Sequence, residues 1–215
     1  MSKQIKKLGQ IFVISSPSGG GKTTLVSILL KRIPSICRSI SVTTRSPRKG
    51  EKNGRDYYFV SKGKFEALKK HAGLIEWAKV HQAFYGTPRR KVEELLLKGK
   101  DVILAIDVQG AYKIRETFRH HATLIFLMPP SISVLKNRLI HRNTDDRSQI
   151  QIRLKEAKSE IECATWYDYV IVNKTIKESA GQLETIVRAQ RLRVLPGASF
   201  GDSCKGSCSD ECGCS

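Results

Sequence analysis

The chain has 215 residues, 38 Lys and Arg against 20 Asp and Glu, and a formal net charge of +18. That length holds one sizeable core with room for a smaller lobe, and 40% hydrophobic with 27% charged residues is the balance of an ordinary soluble globular protein. No apolar run approaches the roughly 18 residues of a membrane helix. The basic start "MSKQIKKLGQ" is followed by no secretory pattern, so the chain reads as cytoplasmic. The positive excess favours anionic partners (nucleotides, nucleic acid, anionic membrane) without choosing among them.

In chain order, "QIFVISS" is a β-branched apolar run closed by Pro and Gly, which predicts a buried strand. "KTTLVSILLKRI" follows with helical spacing and stops before Pro34. Between them lies "SSPSGGGKTTL", close to the phosphate-binding pattern G-x-x-x-x-G-K-[ST], with Ser16 at the first glycine position. A glycine-rich turn from strand to helix exposes several backbone N–H groups at the positive end of the helix, and these surround a phosphate. Ser16, Pro17, Ser18, Gly19, Gly20, Gly21 and Thr24 are therefore candidate ATP-binding residues. Lys22 is placed to reach the β- and γ-phosphates, and the Thr23 hydroxyl to hold Mg²⁺. Ser16 is expected to be tolerated because glycine is needed only where φ is positive or backbone passes very close.

Farther on, "SISVTTR" and "DYYFV" are strand-like and are separated by the turn-rich "SPRKGEKNGR". "KGKFEALKKHAG" predicts a short helix, "LIEWAKV" a strand, and "PRRKVEELLLKG" a helix with Pro at its start and Gly at its end. "DVILAIDV", "TLIFLMPP" and "DYVIVN" complete four buried strands. "SISVLKNRLIHR" has Ser131 as its expected N-cap. A second helix, from about Asp145, aligns Ile150, Leu154, Ala157, Ile161 and Ala164 on one face. The last helix runs through Ile176, Ala180, Leu183 and Ile186 and ends near Pro196. Cys37 and Cys163 are expected to be buried. Buried strands alternating with helices give an α/β fold, a parallel sheet covered on both faces. Residues 39 to 90 interrupt that pattern as an inserted mixed α/β lobe.

A phosphate-binding loop names only the donor side of a reaction. A GTPase should also carry N-K-x-D, and "NKTI" at Asn173 lacks the Asp. In the inserted segment, Arg45 and Arg48 flank a Ser-Pro turn, and with the hydroxyls of Ser41 and Tyr57 they suit a dianionic phosphate. Asp107 at the end of a buried strand is the usual place for a carboxylate that orients Mg²⁺ through water.

The stretches "SPSGGGKTTL", "SVTTRSPRKGEKNGRDYYFV", "LIEWAKVHQAFYGTP", "AIDVQGA", "FLMPPS", "LKNRLIHRNTDDRSQIQIRL" and "YDYVIVN" together resemble the guanylate kinases, from about residue 8 to 195. That resemblance implies transfer of a phosphoryl group from ATP, with Mg²⁺, to GMP. It implies that Ser41, Arg45, Arg48, Tyr57 and Tyr85 hold the GMP phosphate, that Glu76 takes the guanine N1–H and N2–H, and that Thr87 bonds O6. Asp107 joins the GMP and Mg²⁺ side. Arg138, Arg142 and Arg153 resemble lid arginines that neutralise charge on the transferred phosphoryl, beside Lys22 and Arg45. Asn173 resembles the adenine-side asparagine. The implied organisation is a P-loop core (1–38, 91–130, 156–196), a GMP-binding lobe (39–90), a lid (131–155) and a Cys-rich tail (197–215). No general base is required, because the nucleophile is an anionic phosphate oxygen.

The sequence departs from the family at Ala105, where many members have Asp, and in the lid at Asn143 and "DDRSQ". The tail "GASFGDSCKGSCSDECGCS" is expected to be disordered, with Cys204, Cys208, Cys212 and Cys214 passive, soft-metal ligands or, less favoured in a reducing cytosol, paired in disulfides. Two other readings remain at this stage: an inactive guanylate-kinase-like protein-binding module, and a basic nucleic-acid-binding protein, for which no aromatic-basic motif is seen.

Overall fold

A computed structural model describes residues 8–80, 82–140 and 147–193, the backbone alone at 147 and 148. Its strands are Ile11–Ser15 (β1), Ile36–Arg38 (β2), Val42–Thr43 (β3), Tyr58–Phe59 (β4), Leu74–Val80 (β5), Ala83–Pro88 (β6), Asp101–Leu104 (β7), Ala122–Met128 (β8) and Tyr169–Val172 (β9). Its α-helices are Lys22–Arg32 (α1), Lys62–Lys70 (α2), Arg89–Leu97 (α3), Val108–Phe118 (α4), Ile132–Ile140 (α5), Arg147–Glu162 (α6) and Ile176–Leu192 (α7).

The main sheet has the order β2-β7-β1-β8-β9, with every pair parallel. Side chains alternate faces along a strand, so a sheet covered on both sides needs apolar residues at nearly every position. On one face Val13, Leu104, Leu124 and Phe126 pack with Val92 of α3 and Ile114 of α4. On the other, Phe12, Ile14, Ile103 and Ile125 pack with Leu25 and Leu29 of α1 and Leu183 and Val187 of α7. Parallel strands bring their C-terminal ends to one edge, where ligands of open α/β sheets bind. The loops after β1 and β7 meet there.

The sheet has five strands rather than the four expected. β2 is only three residues, "ICR", half-buried and ending in Arg38, so it carries no apolar run to announce it. The last helix runs through Ile176, Ala180, Leu183 and Ile186 as expected; Ala180, Leu183 and Val187 are buried while Ile176 is exposed. Cys37 and Cys163 are half-buried rather than buried. Ser131 does cap α5, its Oγ accepting from the Val134 N–H at 3.2 Å.

A second sheet, β4-β3-β6-β5, carries its own small core of Val42, Phe65 and Leu74 with Val60, Leu68, Trp77 and Phe84. β6 was not anticipated from "AFYGTP", whose Gly, Thr and Pro mask a strand. β5 is irregular between Leu74 and Trp77. Both residues pack into the small core despite their odd spacing, which a regular strand forbids. Gly86 lies opposite, where a Cβ would come within 2.8 Å of Leu74 Cδ1. Ile75 meanwhile joins the core of the main sheet. On α4, Lys113 donates to the Trp77 carbonyl and sits 4.4 Å from the Trp77 ring centroid. β5 is thus held from both sides.

Candidate active site

The loop after β1 delivers residues 16–21 to the N-terminus of α1, whose N-cap is Gly21. Gly19 and Gly21 have φ of 88° and 93°, a region costly for any residue with a Cβ. Ser16 is not among the residues with positive φ, so it meets the backbone condition. Its side chain fills the space beside Gly20, where an added Cβ would lie 2.8 Å from Ser16 Cβ. Lys22 Nζ donates to the Ile106 carbonyl at 3.0 Å. Burial pulls its ammonium below the usual lysine value, with Asp107 and Glu160 opposing.

This loop forms one wall of a cleft of about 270 Å³. Ser41, Arg48, Tyr57, Glu76 and Tyr85 line the facing wall, and Asp107 borders it. The Tyr57 and Tyr85 rings meet edge to face, 5.9 Å between centroids. Glu76 is 4% exposed, and Thr87 Oγ1 donates to its Oε1 at 2.5 Å. Burial pushes the Glu76 carboxyl up to about 7; Thr87 opposes that shift and Asp107 adds to it. Gly110 in the first turn of α4 admits the other carboxylate oxygen, since a Cβ there would lie 2.6 Å from Oε2. Asp107 stands three residues past the end of β7 and caps α4, accepting from the Gly110 N–H at 2.9 Å. It is a helix cap beside the cleft rather than the last residue of a strand.

Arg45 is set differently from the other arginines. Its guanidinium pairs with both Glu51 oxygens at 2.9 Å, Nε donates to Tyr85 Oη at 3.1 Å, and NH1 also donates to the Ser46 carbonyl. These four bonds leave one N–H of five. Arg45 thereby fixes the Tyr85 hydroxyl and stands behind the cleft wall. On the opposite side, Arg153 lines the cleft and NH1 donates to Ser18 Oγ at 3.3 Å. Arg138 NH2 donates to the Asn173 carbonyl at 3.3 Å. Arg142, Asn143 and the four tail cysteines lie outside the described residues.

Asn173, expected beside adenine, is fully buried. Its Nδ2 donates to the Gly20 carbonyl at 2.8 Å, and its Oδ1 accepts from Ser179 Oγ at 3.0 Å. In this arrangement its side chain presents nothing to a base in the cleft.

Sequence reasoning passed over two groups. Glu160 of α6 lines the cleft, and burial pushes its carboxyl up to about 7, with Lys22 opposing and Asp107 and Glu156 adding. Its heptad-like neighbourhood on α6 reads as an ordinary solvated helix face, so only the tertiary fold reveals it. Arg38, at the end of β2, has a buried Nε without a partner, and its charge is felt at Lys22 and Tyr57. In the β2–β7 register it pairs with Ile103.

Residues 9–190 match the guanylate kinase family model. The guanylate kinase of Anaplasma phagocytophilum (strain HZ) is 47% identical over 190 residues, 88% of this chain and 90% of that protein. That of Wolbachia pipientis wMel is 44% identical over 191 residues, 89% of this chain and 95% of its own length. A crystal structure of guanylate kinase from Anaplasma phagocytophilum superposes with a TM-score of 0.75 at 41% identity, covering 87% of this chain and 89% of that one. With a phosphate loop and a buried carboxylate facing each other across one cleft, and relatives matched over nearly their whole length, this chain belongs to the guanylate kinase family.

Proposed function

We propose that this chain is an ATP:GMP phosphotransferase, moving the γ-phosphoryl of ATP to GMP to give ADP and GDP. The observation that carries the reading is the Glu76–Thr87 pair, buried in the same cleft that the phosphate loop lines. Guanine offers two adjacent N–H donors to a carboxylate, whereas adenine has no N1–H. AMP would leave a buried carboxylate poorly paired, which is the kind of mismatch that discriminates strongly.

The donor phosphates take the backbone N–H groups of Gly19 and Gly21 and the positive end of α1, the Gly20 N–H being held by the Pro17 carbonyl. Lys22 exchanges the Ile106 carbonyl for the β- and γ-phosphate oxygens. Ser41, Arg48, Tyr57 and Tyr85 hold the acceptor phosphate, with Arg45 holding Tyr85 in place. The acceptor oxygen attacks in line as the bond to ADP breaks. Lys22 and Arg153 face the charge on the moving group, and Arg138 and Arg142 are proposed to join them on closure. Thr23 is exposed at the first turn of α1 and Asp107 borders the cleft. One hydroxyl and one carboxylate suit Mg²⁺, which keeps several waters and binds mainly through substrate phosphates. When bound, Mg²⁺ neutralises charge on the β- and γ-oxygens. No helix among the described residues is long and apolar enough to cross a membrane, and the reading places the enzyme in the cytoplasm with its nucleotides.

The test is direct: incubate the protein with ATP, Mg²⁺ and GMP and resolve the products. Equal amounts of ADP and GDP are expected. GMP binding without turnover would leave the chain a binding module.

A further inference from the structure

We infer that Asn173 and Ser179 are positioning residues for the phosphate loop: together they set the orientation of the Gly20–Gly21 peptide, and so of one phosphate-binding N–H. The inference rests on the reading that the loop binds the donor's polyphosphate.

The weak point of the loop is the peptide between Gly20 and Gly21. Neither residue has a Cβ, so this unit rotates easily; the Gly19–Gly20 peptide is equally bare, but its N–H is held within the loop by the Pro17 carbonyl at 2.9 Å. In a trans peptide the C=O and the following N–H point to opposite sides, and among the described residues no peptide is cis. The Gly20 carbonyl is held by Asn173 Nδ2 at 2.8 Å. The Gly21 N–H therefore points away from Asn173, toward the cleft that both glycines line. If the Gly20–Gly21 peptide flipped, it would put a carbonyl oxygen where the phosphate needs a donor.

Asn173 is itself fixed. It lies just past β9, its own N–H donates to the Met128 carbonyl at 2.8 Å, and it is 0% exposed. An amide can present either end. Ser179 of α7, also 0% exposed, donates its hydroxyl to Oδ1 at 3.0 Å and so turns Nδ2 toward Gly20. The fit is close: a Cβ on Gly21 would lie 2.4 Å from Asn173 Nδ2. A buried chain of bonds thus runs from α7 through Asn173 to the loop, and neither the Ser179 nor the Asn173 side chain in it is exposed.

The experiment uses inorganic tripolyphosphate, which has the donor's charges and no base, as a competitor of ATP. Asn173→Ala is expected to raise its inhibition constant and the KM for ATP together by tenfold or more. Ser179→Ala should raise both by twofold to fivefold. GMP affinity, measured without ATP, should stay within twofold of the parent in both variants. Weaker ATP binding with an unchanged tripolyphosphate constant would assign Asn173 to the adenine and overturn the proposal. So would a Ser179→Ala protein with both constants unchanged, which keeps the test decisive if Asn173→Ala does not fold. Equal loss for GMP and tripolyphosphate would mean a general structural role and would also overturn it. The parent protein's turnover of GMP tests the underlying reading separately.

Discussion

On the proposed reading, the two walls of the cleft recognise phosphate by different means. The donor wall is backbone from one contiguous loop, shaped by positive φ at Gly19 and Gly21 and by the contact of Ser16 with Gly20. The acceptor wall is side chains from separate segments, each oriented by another: Thr87 on Glu76, Glu51 on Arg45, Arg45 on Tyr85. A backbone site fails when its peptides lose their support. A side-chain site fails when one functional atom is exchanged, even at constant shape.

That contrast is broken most forcefully at Lys22, the long side chain that directly follows the loop on the donor wall. Lys22→Met should lower kcat by roughly 10²–10³, the effect of removing one charged stabiliser of the transition state, with GMP affinity nearly unchanged. Stopped-flow turnover and GMP titration check the two halves. Next comes the acceptor wall: Glu76→Gln keeps the shape but replaces a carboxylate acceptor with a donor amide. Its kcat/KM for GMP should fall about a hundredfold, the loss of two hydrogen bonds to a charged group at about 1.5–3 kcal/mol each being partly offset. The ATP KM should barely move.

A smaller and graded effect is expected with pH. The Glu76 carboxyl is pushed up to about 7 in the free protein, and guanine's N–H donors need its ionised form. Below pH 7 the protein must release a proton to bind GMP, so kcat/KM should fall as pH is lowered, approaching tenfold per unit. GMP's own phosphate titrates near pH 6, and Glu76→Gln should remove the component near 7 while leaving that one. The smallest effect is expected at Ser16→Gly, within about threefold in ATP kinetics, because Ser16 is not at positive φ. A gain of orders of magnitude would mean that the serine distorts the loop.

The same contrast explains what could be read in advance. The donor wall is legible because its residues are adjacent and the chemistry needs glycine followed by Lys-Thr. The main strands are legible where both faces are buried, as in "IFVIS" and "ATLIFLM". β2 and β6 are not, since one is too short and the other carries Gly and Pro. The candidate guanine-side residues were found through the resemblance. "LIEWAKV" alone gives no hint that the irregularity at Leu74–Trp77 accompanies a buried carboxylate, or that Gly110, far away in sequence, leaves it room. The adenine-side expectation for Asn173 comes from the resemblance alone; the residues that enclose it come from β8, α7 and the loop, and no local pattern records them.

The central claim is that the buried carboxylate selects the acceptor. The measurement that tests it most directly is kcat/KM for GMP, AMP, CMP and UMP, offered separately with ATP and Mg²⁺ in one ADP-release assay. The account predicts that GMP exceeds each of the others by roughly 10²-fold or more. AMP turned over as well as GMP would contradict it.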